Sequence, residues 1–161
     1  MPYRDLQDDA CSIARPVSVL GDRWTLIVLR QAFRGVRRFD EFQSSLGISR
    51  PLLADRLARL VQADILERRP YLSGQRPRQE YRLTKKGLDL YPVLMALRDW
   101  GDRYMAPDGP FVLYRHRGCG GTAEVRHTCG ACGQELSAHD ITPEPGPGLD
   151  AARQSAATAQ P

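Results

Sequence analysis

A mainly α fold carrying one small β-hairpin, the arrangement of a winged helix-turn-helix, is predicted by three features of the chain. A helix with one apolar face lies near its middle, a short helix and a turn precede it, and a strongly basic hairpin follows it directly. Within residues 48–86, Leu53, Leu57, Leu60 and Val61 recur at the spacing that lines one side of a helix. Ser49 is placed to cap this helix, and Pro51 is tolerated in its first turn. Pro51, Leu52, Asp55, Arg56 and Arg59 point away from the apolar side, which puts two guanidiniums near the middle of the outer face. Residues 65–71 then read as a strand, 73–78 as a turn and 79–83 as the returning strand. Residues 67–86 hold seven Arg or Lys against Glu67 and Glu80, a local excess of five positive charges. Duplex phosphates are the partner that such a concentration suits.

The remaining elements follow in order. Residues 11–20 form a short helix stopped by Gly21, and Asp22 caps a helix over 22–33 built on Trp24, Leu26, Ile27, Val28 and Leu29. A basic turn with Arg34, Arg37 and Arg38 leads to a short helix over 40–46, capped by Asp40 and anchored by Phe39 and Phe42, and Gly47-Ile48 is the turn into the central helix. After the hairpin, Thr84 can cap a last helix carrying Leu88, Tyr91, Leu94, Met95, Leu97, Trp100 and Tyr104, in which Pro92 either produces a kink or marks a later start. So broad an apolar surface calls for a partner, read here as a second copy of the chain. Residues 105–110 read as a linker, 111–115 and 122–127 as short strands, and the Pro-, Gly- and Ala-rich stretch from 142 onward as disordered. The resulting division is 1–106, a DNA-binding and dimerisation domain; 107–141, a small Cys/His appendix; and 142–161, a tail.

Composition alone decides little. The chain has 161 residues, 42% of them hydrophobic, and a net charge of +4, so the case for a nucleic-acid partner rests on where the charge sits. No window approaches the apolar length of a membrane span, and the first residues lack the apolar run of a signal peptide, so a cytoplasmic protein without a membrane partner is expected. In such a compartment the four cysteines read as thiols or metal ligands.

Three of those cysteines belong to a pattern. His116-Arg117-Gly118-Cys119-Gly120 and Cys129-Gly130-Ala131-Cys132-Gly133 are two turns in which ligand-type side chains stand three residues apart, with glycine after the second. That spacing lets both side chains of a knuckle address one ion, and His116, Cys119, Cys129 and Cys132 would close a tetrahedral, structural zinc site resembling a zinc ribbon. His127 is an alternative fourth ligand, and a Cys129–Cys132 redox pair or an unmetallated hairpin are the rival readings. A thiol-oxidoreductase enzyme is disfavoured, because its Cys-x-x-Cys normally opens a helix, whereas this one lies in a Gly-rich hairpin.

Cys11, the run 19–25, Arg38-Phe39-Asp40-Glu41-Phe42, Gly47-Ile48-Ser49, Asp55-Arg56-Leu57, the run 81–87 and Trp100-Gly101 together resemble the HxlR-type branch of the MarR-like winged-helix regulators, over about residues 10–104. The resemblance implies a homodimeric transcription factor without enzyme activity, dimerised through its terminal helices, with one recognition helix per major groove and a wing over the flanking minor groove. It places Ser49, Arg50, Leu52, Arg56 and Arg59 at the DNA, puts Arg76 and Arg78 at the wing tip and makes Trp24 a core residue. Asp55 either accepts from a cytosine or orients Arg59 one turn on. Cys11 matches a cysteine that some members use to sense oxidants or electrophiles, although Asp8 and Asp9 beside it oppose thiolate formation. Oxidants, electrophiles or a small ligand are thus the implied effectors. The competing reading is a winged-helix protein-interaction module, against which Arg56, Arg59, Arg76 and Arg78 argue, since such a module need not gather cations on helix and wing together.

Overall fold

The apolar face of the central helix is where the core forms in the computed structural model, which describes residues 11–73 and 76–148. The order is α1 (Ala14–Leu20), α2 (Arg23–Phe33), α3 (Phe39–Leu46), α4 (Arg50–Gln62), β1 (Leu66–Ser73), β2 (Arg76–Leu83), α5 (Lys85–Leu88) and α6 (Tyr91–Met105). Leu53, Leu57 and Leu60 of α4 are fully buried against Val28 and Leu29 of α2, Phe42 of α3, and Ile48, Ile65 and Leu66. Burying each such side chain contributes about 1.5–3 kcal/mol. Val61, Trp24 and Phe39 pack half-buried at the edge of this cluster.

Local chemistry sets the element ends. Asp22 caps α2, its carboxylate accepting from the N–H groups of Trp24 at 2.9 Å and Thr25 at 3.3 Å. At α3 the expected cap changes hands: the helix starts one residue early, Arg38 takes the cap position, and the Glu41 carboxylate accepts the Arg38 N–H at 3.1 Å. Asp40 is therefore inside the first turn and available to other partners. Gly47 ends α3 with φ of 62°, a left-handed conformation that costs glycine no Cβ clash. Ser49 holds the cap position of α4, but its hydroxyl makes no bond to the first turn.

The strands of the hairpin run longer than the sequence suggests. They pair antiparallel from Leu66↔Leu83 to Ser73↔Arg76, so Arg76 and Arg78 are strand residues; Gly74 and Gln75 of the expected turn lie outside the described residues. A single bridge from Arg38 to Glu80, with the Tyr81 N–H donating to Arg37 O at 2.8 Å, ties the hairpin to the segment before α3. Thr84 caps the short α5, accepting from the Gly87 N–H at 3.0 Å. A Cβ on Gly87 would come within 2.2 Å of Ile65 O, so only glycine lets α5 close on the residue that leads into β1. Pro92 produces no kink: α6 starts afresh at Tyr91 with the proline in its first turn, where it loses no helical hydrogen bond.

The chain divides into two units, Val19–Val125 and a second made of Met1–Ser18 with Arg126–Pro161. This boundary differs from the one expected at 106/107. Arg98 of α6 lies 4.9 Å from the Tyr114 ring and donates to Ala123 O at 2.8 Å, while Asp99 accepts the Val125 N–H at 3.1 Å. The first unit thus extends well past α6. The strands expected at 111–115 and 122–127 are reduced to one isolated bridge, Arg115↔Thr122, in the first unit; a further bridge, Thr128↔Glu135, lies in the second. Among its described residues the second unit holds a 3-10 turn, Ala138–Asp140, capped by Ser137. Residues 142–148 of the tail are exposed, and 149–161 lie outside the described residues. Among the described residues, no helix is long and apolar enough to cross a membrane.

Candidate nucleic-acid interface

The exposed face of α4 consists of Arg50, Pro51, Ala54, Asp55, Ala58, Arg59 and Gln62. Ala54 and Ala58 escape sequence reasoning because small residues carry no charge signal, yet their size is what lets a helix backbone approach a base edge closely. Leu52 is half-buried and packs against the core.

The two central arginines differ sharply. Arg56 is only 15% exposed: its Nε and Nη2 lie 2.9 and 3.1 Å from the Asp22 carboxylate, and its Nη1 lies 2.8 Å from Asp55. The Nε contact is an ion pair without hydrogen-bond alignment. Arg56 thus fastens α4 to the cap of α2, and the guanidinium is turned inward. Arg59, with its side chain 60% exposed, has its Nε 3.1 Å from Asp55 one turn back and keeps its outer edge toward solvent.

At the start of α4, Arg50 reaches across to α3. Its Nη1 donates to Asp40 Oδ1 at 3.1 Å and Gln43 Oε1 at 2.8 Å, and the guanidinium stacks 4.8 Å from the Phe39 ring. The other oxygen of Asp40 lies 3.8 Å from Nη1 of Arg78 on the wing. Asp40 therefore stands between the recognition helix and the hairpin. The cleft around it, about 510 Å³, is lined in part by Arg38, Tyr71 and Pro77, with the Arg38 guanidinium 4.8 Å from the Tyr71 ring. Spacing rules do not reveal this constellation, since its members are brought together by the fold from three elements.

The wing carries less unpaired charge than its composition implies. Arg69 is paired with Glu67 at 2.7 Å, Arg82 with the buried Glu80 at 2.6 Å, and Lys85 with Asp89 at 2.5 Å. Lys86 donates to Ala63 O at 2.7 Å, and Arg68 lies 5.9 Å from the Tyr81 ring. Toward the tip, Arg76 and Arg78 are exposed, with Arg78 facing Asp40 at 3.8 Å.

Cys11 is exposed, and its sulfur accepts the Ala14 N–H at 3.4 Å where α1 begins. In the first knuckle His116 Nδ1 lies 3.2 Å from Cys119 Sγ, the Gly120 N–H donates to His116 O at 2.8 Å, and Gly120 has φ of 73°. In the second knuckle the Gly133 N–H donates to Cys129 O at 2.9 Å and Gly133 has φ of 74°. Backbone N–H groups of Cys132 and Ala131 and the Cys132 thiol hold the Cys129 thiol below its ordinary pKa. The two turns, each taken alone, have the same form. Among the described residues, no three His, Cys, Asp or Glu side chains gather closely enough to hold a metal ion.

Residues 19–109 match the family described as HxlR-like helix-turn-helix. An uncharacterized HTH-type transcriptional regulator of Mycobacterium tuberculosis is 47% identical over 141 residues, 87% of this chain and 89% of the relative. Among solved structures, PA1607, a proposed transcription factor, is 38% identical with a TM-score of 0.77, covering 89% of this chain and 99% of that one. The redox regulator HypR in its reduced form is 28% identical with a TM-score of 0.53, covering 58% of this chain and 92% of that one.

Proposed function

The chain belongs to the HxlR-like helix-turn-helix family of transcriptional regulators, and from that premise we propose that it reads duplex DNA as a homodimer. The observation that carries this reading is the surface shared by α4 and the wing, where Arg50, Arg59, Arg76 and Arg78 are all exposed. In this reading Arg59 contacts a base edge, Ser49 and Arg50 meet phosphate at the start of α4, and Arg76 and Arg78 lie against the flanking backbone. Leu52, Asp55 and Arg56 act by placement: Leu52 seats the helix, Asp55 orients Arg59, and Arg56 sets the helix against α2.

The partner in the dimer is a second copy, docked on α6. Val93, Leu97, Trp100 and Tyr104 recur along one side of that helix, each more than half exposed, with the Trp100 and Tyr104 rings 5.5 Å apart. Leaving such a stripe in water forgoes about 25 cal/mol for each Å² that could be covered. Responsiveness to oxidants is supported by the exposed Cys11 and by the likeness to HypR. The zinc-ribbon reading is supported by the matching form of the two knuckles and by the ligand types His116, Cys119, Cys129 and Cys132.

The test is a comparison of affinities for DNA selected from a random pool and for unselected duplex. Arg59→Ala should lower selected-site affinity by about tenfold, the worth of one base contact, and change unselected binding little. An equal loss on both would make Arg59 a phosphate contact, and no preference for selected DNA in the unmodified protein would return the interaction-module reading.

A further inference from the structure

The first knuckle is the tip of a short hairpin whose two strands are held by one helix. The His116 N–H donates to Gly121 O at 2.8 Å, Arg115 bridges to Thr122, and the Ala123 N–H donates to Tyr114 O at 2.9 Å. Residues 114–123 thus fold back on themselves with His116 and Cys119 at the turn, and they belong with α6 to the first unit. At the base, the Arg98 guanidinium stacks 4.9 Å from the Tyr114 ring on one strand and donates to Ala123 O at 2.8 Å on the other. Asp99 adds a third tie, accepting the Val125 N–H at 3.1 Å.

This clasp takes a charge largely out of water. The Arg98 side chain is 15% exposed, and the carboxylates of Asp99 and Asp102 beside it offset the lost hydration. A two-stranded hairpin is marginal in water by itself. Its order therefore depends on what is fixed at its two ends, the clasp at the base and the ligand-type residues at the tip. At the tip His116 Nδ1 lies 3.2 Å from Cys119 Sγ, a separation at which zinc bonds of about 2.0–2.1 Å to nitrogen and about 2.3 Å to sulfur meet on one ion.

We propose that zinc held through His116 and Cys119 is an effector of the dimer. By ordering the hairpin at its tip, the ion favours closure of the clasp at its base and so fixes α6, which carries the exposed stripe of Val93, Leu97, Trp100 and Tyr104. Arg98 and Trp100 are two residues apart, roughly 200° around the helix, so the clasp steadies one side while the other stays open to a second copy. The two states are the hairpin seated on α6 and the hairpin released, and the ion binds the seated one better because its ligands are held in place there. Coupling of this kind is reciprocal: breaking the clasp weakens zinc binding although neither Arg98 nor Asp99 is a ligand. Zinc as an effector presupposes both the zinc ligands and the α6 dimer proposed for this chain.

The experiment strips the full chain of metal with a chelator and returns zinc or, as the control, magnesium. Zinc affinity is read by competition with a chromophoric chelator and self-association by sedimentation equilibrium. Zinc, unlike magnesium, should lower the dimer dissociation constant at least about tenfold. Asp99→Ala should weaken zinc binding at least about fivefold and reduce the effect of zinc on the dimer to less than about threefold. Arg98→Met gives the same readings should that variant fold poorly. Cys119→Ser should abolish the zinc effect, and a full effect in that variant overturns the proposal. Zinc taken up with no change in the dimer constant, or zinc affinity unaltered in both clasp variants, overturns the proposal and leaves the zinc reading standing. A chain that takes up no zinc overturns the zinc reading as well, and one that is monomeric with and without zinc overturns the dimer reading as well.

Discussion

Arg56 and Arg59 stand three residues apart on one helix and meet different surroundings. Both are basic, both lie off the apolar face, and nothing in their sequence positions separates them. What separates them is Asp22, 34 positions upstream of Arg56, which the packing of α2 on α4 brings to 2.9 Å. Arg56→Ala should therefore destabilise the fold by roughly 1–2 kcal/mol, between the values for exposed and buried pairs because Asp22 is partly exposed. Denaturant unfolding checks this; unchanged stability together with lost operator binding would show that Arg56 leaves Asp22 for DNA. Asp55, by contrast, sits one turn from Arg59 in the sequence, and the 3.1 Å separation between them is of the kind helical spacing foretells.

Among the elements, α4 and its core face are legible in sequence because a 3.6-residue period survives any tertiary context. The hairpin is legible in kind but short at both strands: Pro77 and the basic tip look like turn chemistry, and only the register to Ser73↔Arg76 shows otherwise. Asp40 reads as a cap because a carboxylate before an apolar position is the usual signature, whereas in the fold Glu41 satisfies the backbone instead. The consequence is functional. Freed from capping, Asp40 joins Arg50 of α4 to Arg78 of the wing, so Asp40→Asn should strengthen binding to unselected duplex and narrow the preference for selected DNA at least about threefold. Competition binding reads this directly, and an unchanged ratio would remove Asp40 from DNA reading. Replacing Arg76 and Arg78 by Gln should make the salt dependence shallower by about 0.9 for each phosphate no longer neutralised; an unchanged slope would place the wing off the DNA.

At the scale of the molecule, the apolar stripe on α6 is visible in sequence, and its exposure in the single chain sharpens it. Trp100→Glu should leave secondary structure intact and convert a dimer to a monomer in sedimentation, whereas a dimer unaffected by the change would move the interface elsewhere. The appendix is legible only as ligand types at a spacing. Its extent is not, because Arg98 and Asp99, which hold residues 114–125 beside α6, read in sequence as ordinary helix-surface charges. Cys129→Ser should lower bound zinc and thermal stability together, as measured by metal analysis and unfolding of the purified chain; full stability without metal would dismiss the zinc reading. The most direct test of the central claim is footprinting of the full-length protein on its own genomic DNA at physiological salt. Discrete two-fold symmetric sites with half-site centres about one helical turn apart are the expected result. Diffuse protection that vanishes as salt is raised would contradict sequence-specific reading by α4 and the wing.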